Sequence, residues 1–99
     1  MSDNFILSLD NTVGRNAAVI EAEIDGEIVA MNIETGFCYG LNLVGSRIWN
    51  LLADPVYIYR LCEQLCAEFE VDPDICERQV LDLLEELRAE NLVQILPSK

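Results

Sequence analysis

The reactive side chains of this chain are four cysteines and eighteen carboxylates, with no histidine anywhere. Cys62 and Cys66 stand four apart, which on a helix puts both thiols on one flank, while Cys38 and Cys76 lie in separate segments. Structural zinc sites draw on closely spaced Cys or His pairs carried by turns, and there is no C-x-x-C here. The thiols read as small apolar side chains, and no metal site is expected. The pairs Glu85–Glu86 and Asp72–Asp74 fall on a helical face and at a helix start, where water and backbone amides account for them. Without a His, a Gly-rich phosphate loop, a G-x-S-x-G or a Cys–His couple, neither catalysis nor a cofactor is expected.

The main chain offers a second kind of chemistry. Phe37, Cys38, Tyr39, Gly40 and Leu41 form a short strand between the turn Glu34-Thr35-Gly36 and the helix-capping Asn42. An unpaired strand edge presents a row of N–H and C=O groups, which proteins usually block with Lys, Pro or a covering segment. This strand holds no Lys or Pro, and the outward side chains of Cys38 and Gly40 add little bulk. Such an edge accepts an extended peptide as an added strand, with neighbouring pockets choosing its sequence. The competing account is that residues 5–9 or the tail at 92–96 cover it. A second copy of the chain could pair with the same edge, giving a homodimer.

Placing that edge needs the elements around it. From Ala18 the apolar period is two, and Asp25-Gly26 is a dipeptide favoured in two-residue type I′ hairpins. Closing the turn there pairs Ile24 with Glu27, Ala22 with Val29 and Ile20 with Met31, and predicts that this apolar face is the buried one. A three-residue loop with Gly36 in the left-handed position then pairs Ile33 with Phe37, Met31 with Tyr39 and Val29 with Leu41. Residues 1–17 read as an N-terminal arm, with a loop over 13–16, and residues 18–96 as one domain.

Three helices follow. Asn42 caps the first, whose stripe is Val44, Ile48, Leu51 and Leu52, and Asp54-Pro55 stops it. The second covers 56–69, with Ile58, Leu61, Cys62, Leu65 and Phe69 on one side. The third runs over 73–90 from the Asp72 cap and Pro73, and Asn91 supplies a left-handed cap. Residues 92–96 form a terminal strand or packed tail. The fold class is α+β: a three-stranded antiparallel sheet followed by a three-helix bundle, winged helix-turn-helix-like in outline.

That outline raises a DNA-binding regulator as the alternative function. Six basic residues against eighteen acidic ones give a net charge of −12, which repels polyphosphate. The third helix sets Asp74, Glu77, Asp82, Glu85, Glu86 and Glu90 against Arg78 and Arg88 alone. Nucleic acid is therefore not the expected partner. No apolar run approaches the ~20 residues of a membrane span, and the N-terminus lacks a basic segment of the signal-peptide kind. Free thiols in such a chain suit a reducing compartment, so the expected location is the cytoplasm.

The pattern E-x-D-G-E-x-V-x-x-N-x-E-T-G-x-x-Y-G-L-N-x-x-G-x-x-I-W-x-L-L over residues 23–52 resembles the PqqD-like family of peptide chaperones. V-D-P, then Val80, Leu83, Leu84 and Leu87, extends the likeness over 71–87, and the whole spans about 18–93. The resemblance implies a recognition element of RiPP biosynthesis. It binds the leader of a ribosomally made precursor peptide and presents it to a modifying enzyme, a lasso-peptide leader protease or a radical maturase. It implies that the leader adds antiparallel to the third strand, at Phe37, Cys38, Tyr39, Gly40 and Leu41. The groove wall on the third helix would then come from Gln79, Leu83 and Glu86, with Ile75 and Cys76 at its start. The chain departs from the family at Gln79, where Asp is frequent, and at Tyr57, where Ser or Thr usually opens the second helix. Asp54 or another group must supply that cap, and Asn91 stands where Gly is frequent.

Overall fold

The computed structural model describes residues 7–96. In chain order the elements are β1 (Thr12–Arg15), β2 (Val19–Ile24), β3 (Glu27–Asn32), β4 (Cys38–Gly40), α1 (Leu43–Leu51), β5 (Val56–Tyr57), α2 (Ile58–Glu68), α3 (Pro73–Ala89) and β6 (Val93–Leu96). The α+β class holds, with strands β2-β3-β4 in one antiparallel sheet ahead of the three helices. A second small sheet, β5-β1-β6, ties the two ends of the described chain together. The expected loop over 13–16 is instead mostly strand, because Val13 is wholly buried and residues 12–15 pair along the length of β6. Phe5 and Ile6, the start of the segment considered as an edge cover, lie outside the described residues.

The β2–β3 register is the expected one, with Ile24 opposite Glu27, Ala22 opposite Val29 and Ile20 opposite Met31. Asp25 and Gly26 both take positive φ, at 54° and 84°, as a type I′ turn requires. The buried face is the opposite of the expected one. Ile28, Ala30 and Asn32 are each at most 1% exposed, whereas Ile20, Ile24 and Val29 face solvent. The reason lies in Glu21, which marked its face as the wet one. Strand β2 overhangs the core, so Glu21 sits at the rim and accepts from the indole Nε1 of Trp49 at 2.5 Å and from Arg15 at 3.1 Å. A carboxylate on a face therefore does not make that face the outer one.

The β3–β4 register is shifted by one residue from the expectation. Ala30 faces Tyr39, Met31 faces Cys38 and Val29 faces Gly40. The side-chain oxygen of Asn32 accepts from the amides of Glu34 (2.8 Å) and Thr35 (3.1 Å), so the turn begins one residue early. The loop then spans four residues, closed by Asn32 N–H on Phe37 C=O, and Gly36 keeps its left-handed φ of 80°.

The core fills the space between this sheet and the helices, with Trp49, Leu52, Ile58, Leu61, Leu84, Leu87 and Leu92 all nearly inaccessible. Arg15 clamps Trp49 in place: its guanidinium donates to the Trp49 carbonyl at 2.7 Å and lies 4.7 Å from the ring centroid. Helix α2 starts later than expected, at Ile58, because Val56 and Tyr57 pair with β1. No side chain caps it. The amides of Ile58 and Tyr59 donate instead to the carbonyls of Asn11 (2.9 Å) and Leu9 (3.0 Å). Asp72 caps α3 by accepting from Asp74, and Asn91 follows it at φ 61°.

Candidate peptide-binding site

Strand β4 pairs with β3 alone, so one of its sides is an edge. The amide of Leu41 donates to Ile28 and that of Asn32 to Phe37. In an antiparallel ladder every second residue bonds to a given neighbour. The backbone groups of Phe37, Tyr39 and Leu41 therefore turn toward β3, and those of Cys38 and Gly40 turn away toward the open side. Neither proposed cover occupies it among the described residues. β6 pairs with β1 in the other sheet, and Leu7 is buried against α3 beside Asp74, Glu77 and Arg78.

Beside this edge is a groove of about 390 Å³, lined by Tyr39, Gly40, Leu41, Asn42, Val44, Gly45, Ile48, Gln79 and Leu83. The sequence dictates its floor. Asn42 accepts from the amide of Gly45 at 2.8 Å, which starts α1 immediately after the strand. Ser46 then accepts from Ile28 N–H at 2.8 Å and donates to the Leu41 carbonyl at 3.2 Å, so the helix start is pinned to the sheet. A Cβ at position 45 would come within 3.2 Å of the Leu41 side chain and 3.3 Å of the Asn42 side chain, tighter than ordinary contact, so a larger residue would require these to shift. At Gly40 a Cβ would meet nothing within 4 Å, leaving the space beside the edge open.

Of the sequence-derived residues, the groove gathers Tyr39, Gly40, Leu41, Gln79 and Leu83. Glu86 stands at its end, where its carboxylate accepts from the Tyr39 hydroxyl. That hydrogen bond, with some burial and the carboxylate's charge, raises the Tyr39 pKa above its usual 10.0 and keeps the phenol a neutral donor. Cys38 on β4 and Phe37 just before it lie outside the groove lining, and both are exposed. Ile75 and Cys76 do not line the groove. Cys76 is buried toward α2, where its thiol interacts with those of Cys62 and Cys66.

Residues 27–93 of the chain match the family described as Coenzyme PQQ synthesis protein D (PqqD). The chain belongs to the PqqD family. A solved structure described as TbiB1 in complex with the TbiA(beta) leader peptide is 35% identical, with a TM-score of 0.78, covering 86% of this chain and 99% of that one. Among curated proteins none matches the chain. The DNA-binding alternative finds no support in these likenesses or in the acidic α3.

The groove-lining residues that the sequence did not place there are Asn42 and, in α1, Val44, Gly45 and Ile48. Their helical stripe marked Val44 and Ile48 as core, and Ile48 is indeed 4% exposed. Val44 remains 46% exposed and opens onto the groove. A usable signal was present: the Asn42 cap starts α1 within two residues of β4, which keeps its first turn close to the strand end.

Proposed function

We propose that this protein binds the leader of a ribosomally synthesised precursor peptide by strand addition to β4 and presents it to a modifying enzyme, either a leader protease or a radical maturase. The observation that carries the reading is the open edge at Cys38 and Gly40 beside an apolar groove, in a chain similar to a protein solved with a leader peptide bound. The leader runs antiparallel to β4. Its backbone pairs with the four outward groups of Cys38 and Gly40, and its inward side chains meet Tyr39, Leu41, Val44, Ile48, Gln79, Leu83 and Glu86.

Magnitudes divide the labour. Four main-chain hydrogen bonds contribute about 2–6 kcal/mol net, while association alone costs about 4–15 kcal/mol. Pairing by itself therefore does not hold a peptide. An apolar leader side chain buried between Val44, Ile48 and Leu83 adds about 1.5–3 kcal/mol each. Affinity then needs both terms, and sequence preference comes from the groove. No helix among the described residues is long and apolar enough to cross a membrane, and we place the protein in the cytoplasm, where its cysteines stay free thiols.

The test is titration with the leader peptide encoded beside this chain's gene, followed through backbone amide resonances. The largest shifts are expected at Cys38 and Gly40, then along the groove face of α3. Shifts confined to the β5-β1-β6 sheet would sink the edge reading.

A further inference from the structure

The groove and its rim differ in charge. None of the groove-lining residues is charged, while Glu86 brings a carboxylate to the end where Tyr39 lies. Among the described residues, the arginines lie elsewhere. Arg15 pairs with Glu21, Arg47 with Glu68 and Arg88 with Glu85, Arg60 lies over Tyr59, and Arg78 lines a separate depression with Asp74, Glu77 and Asp82. Among the described residues no salt bridge reaches Glu86, whose named partner is a neutral phenol.

Topology fixes where along a bound strand this charge falls. Gln79 and Leu83 line the groove that extends from Tyr39 to Asn42, and Glu86, later on α3 and outside that lining, meets the Tyr39 hydroxyl at the strand's near end. Helix α3 thus runs antiparallel to β4, in the direction that an antiparallel leader takes. The leader residue opposite Leu41 precedes the one opposite Tyr39 by two, and both side chains point to the α3 side. Two strand residues advance about 6.8 Å. From the midpoint of Gln79 and Leu83 to Glu86 the helix advances about 7.5 Å at 1.5 Å per residue. Tyr39 does not bond outward through its backbone, so the residue facing it belongs to a non-hydrogen-bonded pair, whose side chains lie closest.

We propose that Glu86 is a specificity-determining residue that selects a leader carrying a lysine or arginine two residues C-terminal to its apolar anchor. This rests on the leader-binding reading and deepens it from strand addition of any apolar peptide to an apolar-x-basic recognition element. The incoming ammonium or guanidinium exchanges for the Tyr39 hydroxyl on one carboxylate oxygen or uses the other, so Glu86 serves the free and the bound state in turn. A chain of net charge −12 attracts any cationic peptide weakly and at long range. What distinguishes Glu86 is that its contribution depends on leader position.

The experiment uses the full chain and a set of leader-derived peptides in which Lys, Gln or Glu replaces each residue in turn, with Kd read by calorimetry. One position, two residues after the apolar anchor, is expected to lose about 5-fold from Lys to Gln and more than about 10-fold from Lys to Glu. In Glu86→Lys the order reverses at that position alone, while Glu90→Gln and Asp82→Asn, equal to Glu86→Gln in charge change, leave it unmoved. If every charge variant binds equally, or if Glu90→Gln acts as Glu86→Gln does, the selectivity proposal is overturned and leader binding stands. If no peptide binds at all, the leader-binding reading falls and takes this one with it. Unchanged circular dichroism in Glu86→Lys separates lost recognition from lost folding.

Discussion

Asn32 donates its side-chain amide to the carbonyl of Asn91 at 2.7 Å, joining the end of β3 to the left-handed cap after α3. Its other side-chain atom takes the amides of Glu34 and Thr35. One buried residue thus ends the strand, sets where the turn begins and anchors the C-terminus of the helix that walls the groove.

Replacing Asn32 by Ala leaves two turn amides and the Asn91 carbonyl without these partners. At about 0.5–1.5 kcal/mol each, the three lost bonds cost about 1.5–4.5 kcal/mol of stability. Asn32→Asp keeps the turn acceptor but sets a charge against the Asn91 carbonyl, and should be at least as destabilising. Urea denaturation of the three proteins measures both.

The same residue explains how far the sequence could be read. Period-two alternation and Asp25-Gly26 determine the β2–β3 register, because a two-residue turn admits one pairing. The caps Asn42 and Asp72 place two helix starts, because each side chain takes amides of the turn that follows it. The sign of the sheet face was not legible, since Glu21 and Ile20 carry opposite cues and the partner that decides between them, Trp49, is distant in sequence. Nor was the β3–β4 register, because Asn32 reads equally as a strand residue or an Asx turn. At the site, Tyr39, Gly40 and Leu41 were legible from the edge. Gln79, Leu83 and Glu86 came from family likeness, since nothing local in α3 says which flank meets β4.

The face assignment predicts opposite outcomes for two neighbouring isoleucines. Ile28 is 1% exposed, and Ile28→Ala should cost about 2–5 kcal/mol. Ile24 is 64% exposed, and Ile24→Ser should fall within about 0.5 kcal/mol of the parent. Equal losses in thermal or urea unfolding would mean that the sheet buries the other face.

Tyr39 gives the site a pH signature. Its folded-state pKa is raised, so the Glu86 hydrogen bond contributes fully below the usual phenol value of 10.0 and is lost as pH rises through the folded pKa. In an ultraviolet phenolate titration, one of the three tyrosines should ionise later because of Glu86, and Glu86→Gln should bring that step to lower pH.

Cys38 is an exposed thiol on the edge strand, while Cys62 is buried and its pKa is pushed up to about 12, chiefly by that burial. A maleimide should therefore label Cys38 well before Cys62. A leader strand paired with the backbone of Cys38 flanks its side chain, so saturating leader peptide should slow that labelling several-fold. Peptide mass mapping of the adduct reads the result. Labelling that proceeds at the same rate under saturation would put the bound peptide elsewhere.

Gly40 separates backbone chemistry from side-chain bulk. A methyl group there meets nothing within 4 Å, so Gly40→Ala should fold normally and keep leader affinity within a few-fold. Gly40→Pro removes the outward N–H and places a ring where the leader backbone must approach, although it spares the β3 ladder bonds made by Tyr39 and Leu41. Its leader affinity should fall by at least about 30-fold, since one charge-free hydrogen bond and the close approach are lost together. Helical circular dichroism should be unchanged. Retained affinity in the proline variant would show that main-chain pairing at β4 is dispensable, and weak binding in both variants would mean instead that the peptide occupies the open space beside Gly40 that any added side chain fills.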